Sequence, residues 1–224
     1  MKHHLSAVVI ICLIAATAAA AQPRNYPPNE LPMFGGVQKN AAMLEADRKF
    51  IETTASMGMT RPQGAQESVR LGWLYFSKGD FATAMKRFNQ AWLLDPDNPA
   101  VYHGFAVTLV QRDGKRFESD AEALFRRSIS YANAPPVSYA DYGRFLNISN
   151  RFGDAIPVIE RGIARHQEKP DGALPDLIAL YAIALYQAGR RTEACAAART
   201  GLERGHDELY DTLVRILATP DCKT

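Results

Sequence analysis

The chain has 224 residues, with 26 basic and 24 acidic side chains and a formal net charge of +2. That near-balance argues against a dedicated nucleic-acid surface, which shows as a strong basic excess on one face. Charged residues interrupt every hydrophobic run after the first, so no later segment is long and apolar enough to span a bilayer.

The first residues read as an export leader. Lys2 supplies a positive start, Leu5 to Ala16 are apolar except for Ser6, and Ala18 to Ala21 offer the small residues that a signal peptidase requires. Cleavage is expected before Ala21 or Gln22, with residues 1–21 as the signal peptide and the bacterial periplasm as the destination. A lipid-anchored precursor needs a small residue before its cysteine, and Cys12 instead follows Ile11. Cleavage removes Lys2 and no acidic residue, leaving 25 basic against 24 acidic side chains. It also removes Cys12. In an oxidising compartment the remaining pair, Cys195 and Cys222, is expected to form a disulfide.

Residues 22–36 are rich in proline and are expected to be extended or disordered, with Leu31-Pro32-Met33-Phe34 able to dock on the first helices. Residues 37–60 read as an added N-terminal helix with Ala41, Leu44, Ile51 and Ala55 on its apolar stripe. A helical hairpin follows. Leu71, Gly72, Tyr75 and Phe76 have helical spacing, Lys78-Gly79-Asp80 is a turn, and the spacing resumes from Phe81 through Ala84, Phe88 and Ala91 until Pro96 stops it.

This hairpin, residues 65–98, resembles the tetratricopeptide repeat, a unit of 34 residues. Leu71, Gly72, Tyr75, Gly79, Ala84, Phe88, Ala91 and Pro96 stand at signature positions, and Ser68 replaces the first aromatic. Three weaker copies follow at about 99–135, 136–170 and 172–206. The second has Tyr102, Phe105, Ala121 and Phe125, a turn about three residues longer than standard, and capping-box spacing at Ser119 and Glu122. The third has Tyr139, Gly143, Ala155 and Gly162, and its Pro157 predicts a second helix that starts late, near Asp154, or is kinked. In the fourth, Ala198 and Gly201 predict a thin core. Residues 207–219 read as a capping helix with Leu209, Leu213, Ile216 and Leu217 on one side, which would return the chain to the level of Cys195. The expected fold is therefore all-α: a right-handed α-solenoid of about four hairpins within residues 61–220, carrying the N-terminal helix and the cap.

The resemblance also implies a function. In this family the first helix of each hairpin lines a concave groove that holds a protein or peptide partner. The matching positions here include Val69, Trp73 and Phe76 in the first copy, His103, Val107 and Gln111 in the second, Arg144 and Asn147 in the third, and Ile183 and Tyr186 in the fourth. Trp92, on a second helix, is expected in the core. The family members that grip a terminal carboxylate place lysine, asparagine and arginine in the groove. Val69, Trp73, His103 and Val107 stand here instead, so an apolar or aromatic segment is the expected ligand, with Arg144 and Asn147 fixing its register. No catalytic, metal or cofactor motif is present: H-E-x-x-H, the phosphate-binding glycine loops and G-x-S-x-G are all missing, and His103, His166 and His206 are scattered. A periplasmic scaffold or adaptor is the leading expectation. The alternatives are a cell-wall enzyme using Asp141 or Asp176, and a homo-oligomer in which the proline-rich arm of one molecule enters the groove of another.

Overall fold

The computed structural model describes residues 26–205 and 208–223, so the expected leader and cleavage site and His206 lie outside the described residues. The helices are α1 (Ala41–Ser56), α2 (Arg61–Ser77), α3 (Phe81–Leu94), α4 (Pro99–Asp113), α5 (Glu118–Ile129), α6 (Pro136–Ile148), α7 (Phe152–Glu168), α8 (Leu174–Gln187), α9 (Arg191–Glu203) and α10 (Tyr210–Leu217). No strand occurs among the described residues. α2–α3, α4–α5, α6–α7 and α8–α9 form the four hairpins, and α10 packs on α8 and α9 where a fifth would begin.

Local chemistry sets the helix ends. Thr60 caps α2 in a reciprocal capping box with Gln63, Asp80 caps α3 by accepting from the Thr83 N–H, and Asn98 caps α4 ahead of Pro99. Three of the four hairpin turns close in one way. Gly79 N–H donates to Phe76 O and Asp80 N–H to Tyr75 O; Asn150 and Arg151 repeat this on Asn147 and Leu146, and Gly189 and Arg190 on Tyr186 and Leu185. Each turn puts its central residue in left-handed backbone, with φ of +75° at Gly79, +57° at Asn150 and +81° at Gly189. The second hairpin differs. Its longer turn is a 3-10 segment, Gly114–Phe117, leading straight into α5. The capping box expected at Ser119 and Glu122 does not form, because α5 already starts at Glu118 without a side-chain cap. Glu122 turns instead to Arg126, Arg151 and the Tyr142 hydroxyl.

Small residues sit where helices cross. The fully buried Phe88 ring lies between Gly72 and Gly104, and a Cβ at either glycine would come within 2.5 Å and 2.3 Å of it. Gly143 faces Ile159 and Gly162 faces Tyr139 in the same manner. In the fourth hairpin Ala194, Ala198 and Gly201 are buried small residues, and Leu213 of the cap packs against Gly201. Cys195, near the start of α9, is joined to Cys222 just beyond the cap, with their Cα atoms 5.4 Å apart.

Three expectations change. α7 starts at Phe152 rather than near Asp154 and runs unbroken through Pro157. Pro157 and Gly153 are exposed, so the carbonyl left without its N–H faces solvent. α1 is shorter than residues 37–60 and is turned differently: Ala41, Leu44 and Ala55 point outward, Leu44 at 56 % exposed, while Ile51 of the expected stripe is partly covered along with Met43, Asp47 and Phe50, and Thr54 is buried. Thr54 is buried because it meets Gly64 of α2, and Asp47 pairs with Lys39. The arm from Tyr26 is ordered as two short 3-10 turns, Pro28–Glu30 and Pro32–Gly36, lying on α3.

Candidate functional site

The first helices of successive hairpins touch one another: α2 on α4, α4 on α6, α6 on α8 and α8 on α10. The second helices reach the next hairpin chiefly through its first helix, as α3 does α4 and α7 does α8. A layer whose members sit closer together takes the inside of a curve. The first helices therefore line the inner face, on which all the expected groove residues were placed.

At its N-terminal end Trp73 is half-buried. Its ring packs 5.4 Å from Phe88 below, 5.4 Å from Phe76 one turn on and 5.0 Å from the His103 ring across on α4, centroid to centroid. Val69, Phe76 and Val107 are likewise half-buried, and Gln111 is exposed. At the far end Ile183 and Tyr186 border a hollow of about 250 Å³ with Thr212, Arg215 and Ile216 of the cap. The Arg191 guanidinium stacks 3.7 Å from the Tyr186 ring centre. Between these ends Val110, Phe145 and Ile148 border a second hollow of about 310 Å³, where Ile148 is 72 % exposed.

The polar residues of this face bind one another. His103, expected to line the groove, is only 3 % exposed; its Nε2 lies 2.7 Å from Asp141 Oδ2, under Trp73. Packing between α2, α4 and α6 covers it. Arg144 donates to Asp176 at 3.0 Å and approaches Glu208 at 3.6 Å. Asn147 Nδ2 donates to Leu180 O at 3.1 Å, while its buried Oδ1 has no protein partner. Each bond crosses from one hairpin to the next, so these side chains fix the spacing of the inner layer. Asp141 and Asp176, the carboxylates considered for catalysis, are each tied to a cation or imidazole. Among the described residues no group of three or more His, Cys, Asp or Glu could hold a metal ion, and no helix is long and apolar enough to cross a membrane.

On the other side of the molecule a second constellation escaped sequence reasoning. Asn89, 1 % exposed in mid-α3, bonds three main-chain groups of the arm, and Arg112 of α4 bonds a fourth. Trp92, expected in the core, is half-buried and is covered by Phe34 of the arm and by Tyr102, whose hydroxyl accepts from its Nε1 at 3.3 Å. The signal for Asn89 was faint but real: it sits one helical turn after Met85, on the face that α3 otherwise fills with apolar residues.

No family model matches the sequence. A 73-residue stretch is 37 % identical to stress-induced-phosphoprotein 1 of Caenorhabditis elegans, covering 33 % of this chain and 22 % of that protein, so the chain spans about a fifth of that relative's length. Among solved structures, Pseudomonas aeruginosa pilF is similar with a TM-score of 0.62 at 16 % identity, over 71 % of this chain and 70 % of that one. YrrB, described as a TPR protein with an unusual peptide-binding site, gives 0.55 at 17 % identity over 80 % and 85 %. MamA gives 0.51 at 18 % identity over 70 % and 80 %. The likeness to these neighbours is one of fold: the chain is an α-solenoid of stacked helical hairpins, as tetratricopeptide-repeat proteins are.

Proposed function

We propose that the chain is a non-catalytic interaction scaffold that takes an extended, mainly apolar segment of a partner protein along its inner face, and that it works in the periplasm after export. The observation that carries this reading is the partly exposed aromatic pair Trp73 and Phe76, packed on the core beside the His103–Asp141 and Arg144–Asp176 pairs of this face. Such a surface gains most by covering apolar side chains and offers little to a terminal carboxylate. Val69 and Val107 extend the patch beside the aromatic pair, Gln111 lies at its edge, and Ile183 and Tyr186 give a second apolar station at the far end. Arg144 and Asn147 lie between the two stations and would meet the partner as groups already held in place. The leader-like first 21 residues and the Cys195–Cys222 bond support the periplasmic reading. The near-neutral charge favours a protein partner over nucleic acid.

The test is a pull-down from periplasmic extract with the intact protein and with Trp73→Ala/Phe76→Ala, both checked for helical content. Loss of the captured partner from the double variant is the expected result. An unchanged set of partners on a folded double variant would remove the groove assignment.

A further inference from the structure

The arm seated on the second-helix side is held differently from the core. Its polar anchors read main chain. Asn89 Nδ2 donates to Asn29 O at 3.0 Å and to Leu31 O at 2.8 Å, its Oδ1 accepts from Phe34 N–H at 3.0 Å, and Arg112 Nη1 donates to Glu30 O at 2.8 Å. One buried amide that bonds three main-chain groups of a segment folded as two short turns reads its backbone conformation directly. Side-chain contacts add to these: the Tyr26 ring lies 3.7 Å from the Arg112 guanidinium and its hydroxyl donates to Asp113 Oδ1 at 2.5 Å, Glu30 pairs with Lys86, Phe34 meets Trp92 and Met33 packs on the core.

Two further features show that this seat is not close-packed. A cleft of about 690 Å³ undercuts the arm, running from Leu31 and Met33 to Trp92 and Leu124. The connection towards α1 passes through four consecutive left-handed residues: Met33 at φ +52°, Phe34 at +57°, Gly35 at +67° and Gly36 at +66°. That backbone is disfavoured for both non-glycine residues, which accept it only because the chain must double back to α1. A short strained connection to a segment held by transferable main-chain bonds is the circumstance in which copies exchange segments.

We propose that the outer face of α3 and α4 is a peptide-binding site for a turn-forming, proline-bearing segment, and that the arm of a second copy of this chain occupies it by exchange. The bonds at Asn89 and Arg112 are the same in cis and in trans. The linked arm has the advantage of a high effective concentration, and release of the left-handed turn offsets that advantage as the protein is concentrated. This site is separate from the inner face, and either reading can fail alone.

Complementation tests it. In a chain beginning at residue 22, Asn89→Ala spoils the seat and leaves the arm intact. Phe34→Pro removes the N–H that Asn89 accepts and forbids the left-handed φ, leaving the seat intact. Each variant is expected to be monomeric alone, and their mixture to double its weight-average mass by light scattering. A second readout needs no substitution: the unmodified chain should gain mass as it is concentrated. The proposal is overturned by a mixture that stays monomeric while the unmodified chain's mass is independent of concentration. It is equally overturned by association that persists unchanged in Phe34→Pro, which would place the contact elsewhere.

Discussion

Phe88 shows how closely single side chains are specified. Its ring fills the gap left by two glycines on different helices, so it cannot move away from one without striking the other. Gly104→Ala adds helix propensity worth up to about 1 kcal/mol, but overpacking a fixed ring costs about 1–3 kcal/mol. The net is expected to be a loss of up to about 2 kcal/mol when the full propensity gain is realised, read by urea unfolding. Glu122 gives a pH signature. Hydrogen bonding from Arg151 outweighs burial and, with help from Tyr142, holds its carboxyl below the ordinary value of 4.5. Its contribution to stability is therefore complete above that value and is lost as the pH falls through the lower folded-state value. Glu122→Gln should flatten the acid limb of the stability–pH curve relative to the unmodified protein; an unchanged limb would show that Glu122 is not the group that titrates there. The repeat residues Gly72, Ala84, Phe88 and Gly143 could be read directly because crossing geometry dictates their size. Asn89 and His103 could not. Their roles depend on what another segment brings to them, namely the arm for one and Asp141 for the other, and spacing along a single helix does not record that.

At the level of elements, the hairpin turns and the C-terminal end carry the sharpest expectations. Gly189 at φ +81° ends α8 with two main-chain bonds, so Gly189→Ala should cost about 1–2 kcal/mol through left-handed strain. A smaller effect of Asn150→Gly, in either direction, would confirm that the turn and not the side chain matters at the corresponding place. The Cys195–Cys222 bond closes a loop of sequence separation 27 around the small-residue core of the last hairpin. Breaking it with Cys195→Ser should remove roughly 3–4 kcal/mol in the chain-entropy model, read as a lower unfolding midpoint that reductant no longer shifts. The cap was legible because α10 carries a strong apolar face, with Leu213 fully buried and Ile216 5 % exposed. α1 was not. Its apolar residues at 41, 44, 51 and 55 suggested one stripe, but the lysine–aspartate pair at 39 and 47 and the close meeting of Thr54 with Gly64 turn the helix so that 41, 44 and 55 face outward and only 51 stays partly covered.

For the whole molecule, stacking divides the surface into two faces with different chemistry. Inter-hairpin bonds from His103, Arg144 and Asn147 hold the first helices in register and leave apolar side chains as what the inner face offers. The outer face carries the arm. The architecture could be read from the first hairpin alone, since one well-marked repeat fixes the period for its weaker copies. The distribution of roles between the faces needed the contacts. The central claim is that a partner lies along the inner face at Trp73, and a photo-crosslinking side chain at position 73 of the protein expressed in cells tests it most directly. The control is the same group at Ala164, an exposed position on the second helix α7. A discrete protein adduct from position 73 and none from position 164 is the predicted result. Adducts of equal yield from both positions, or from 164 alone, would contradict it.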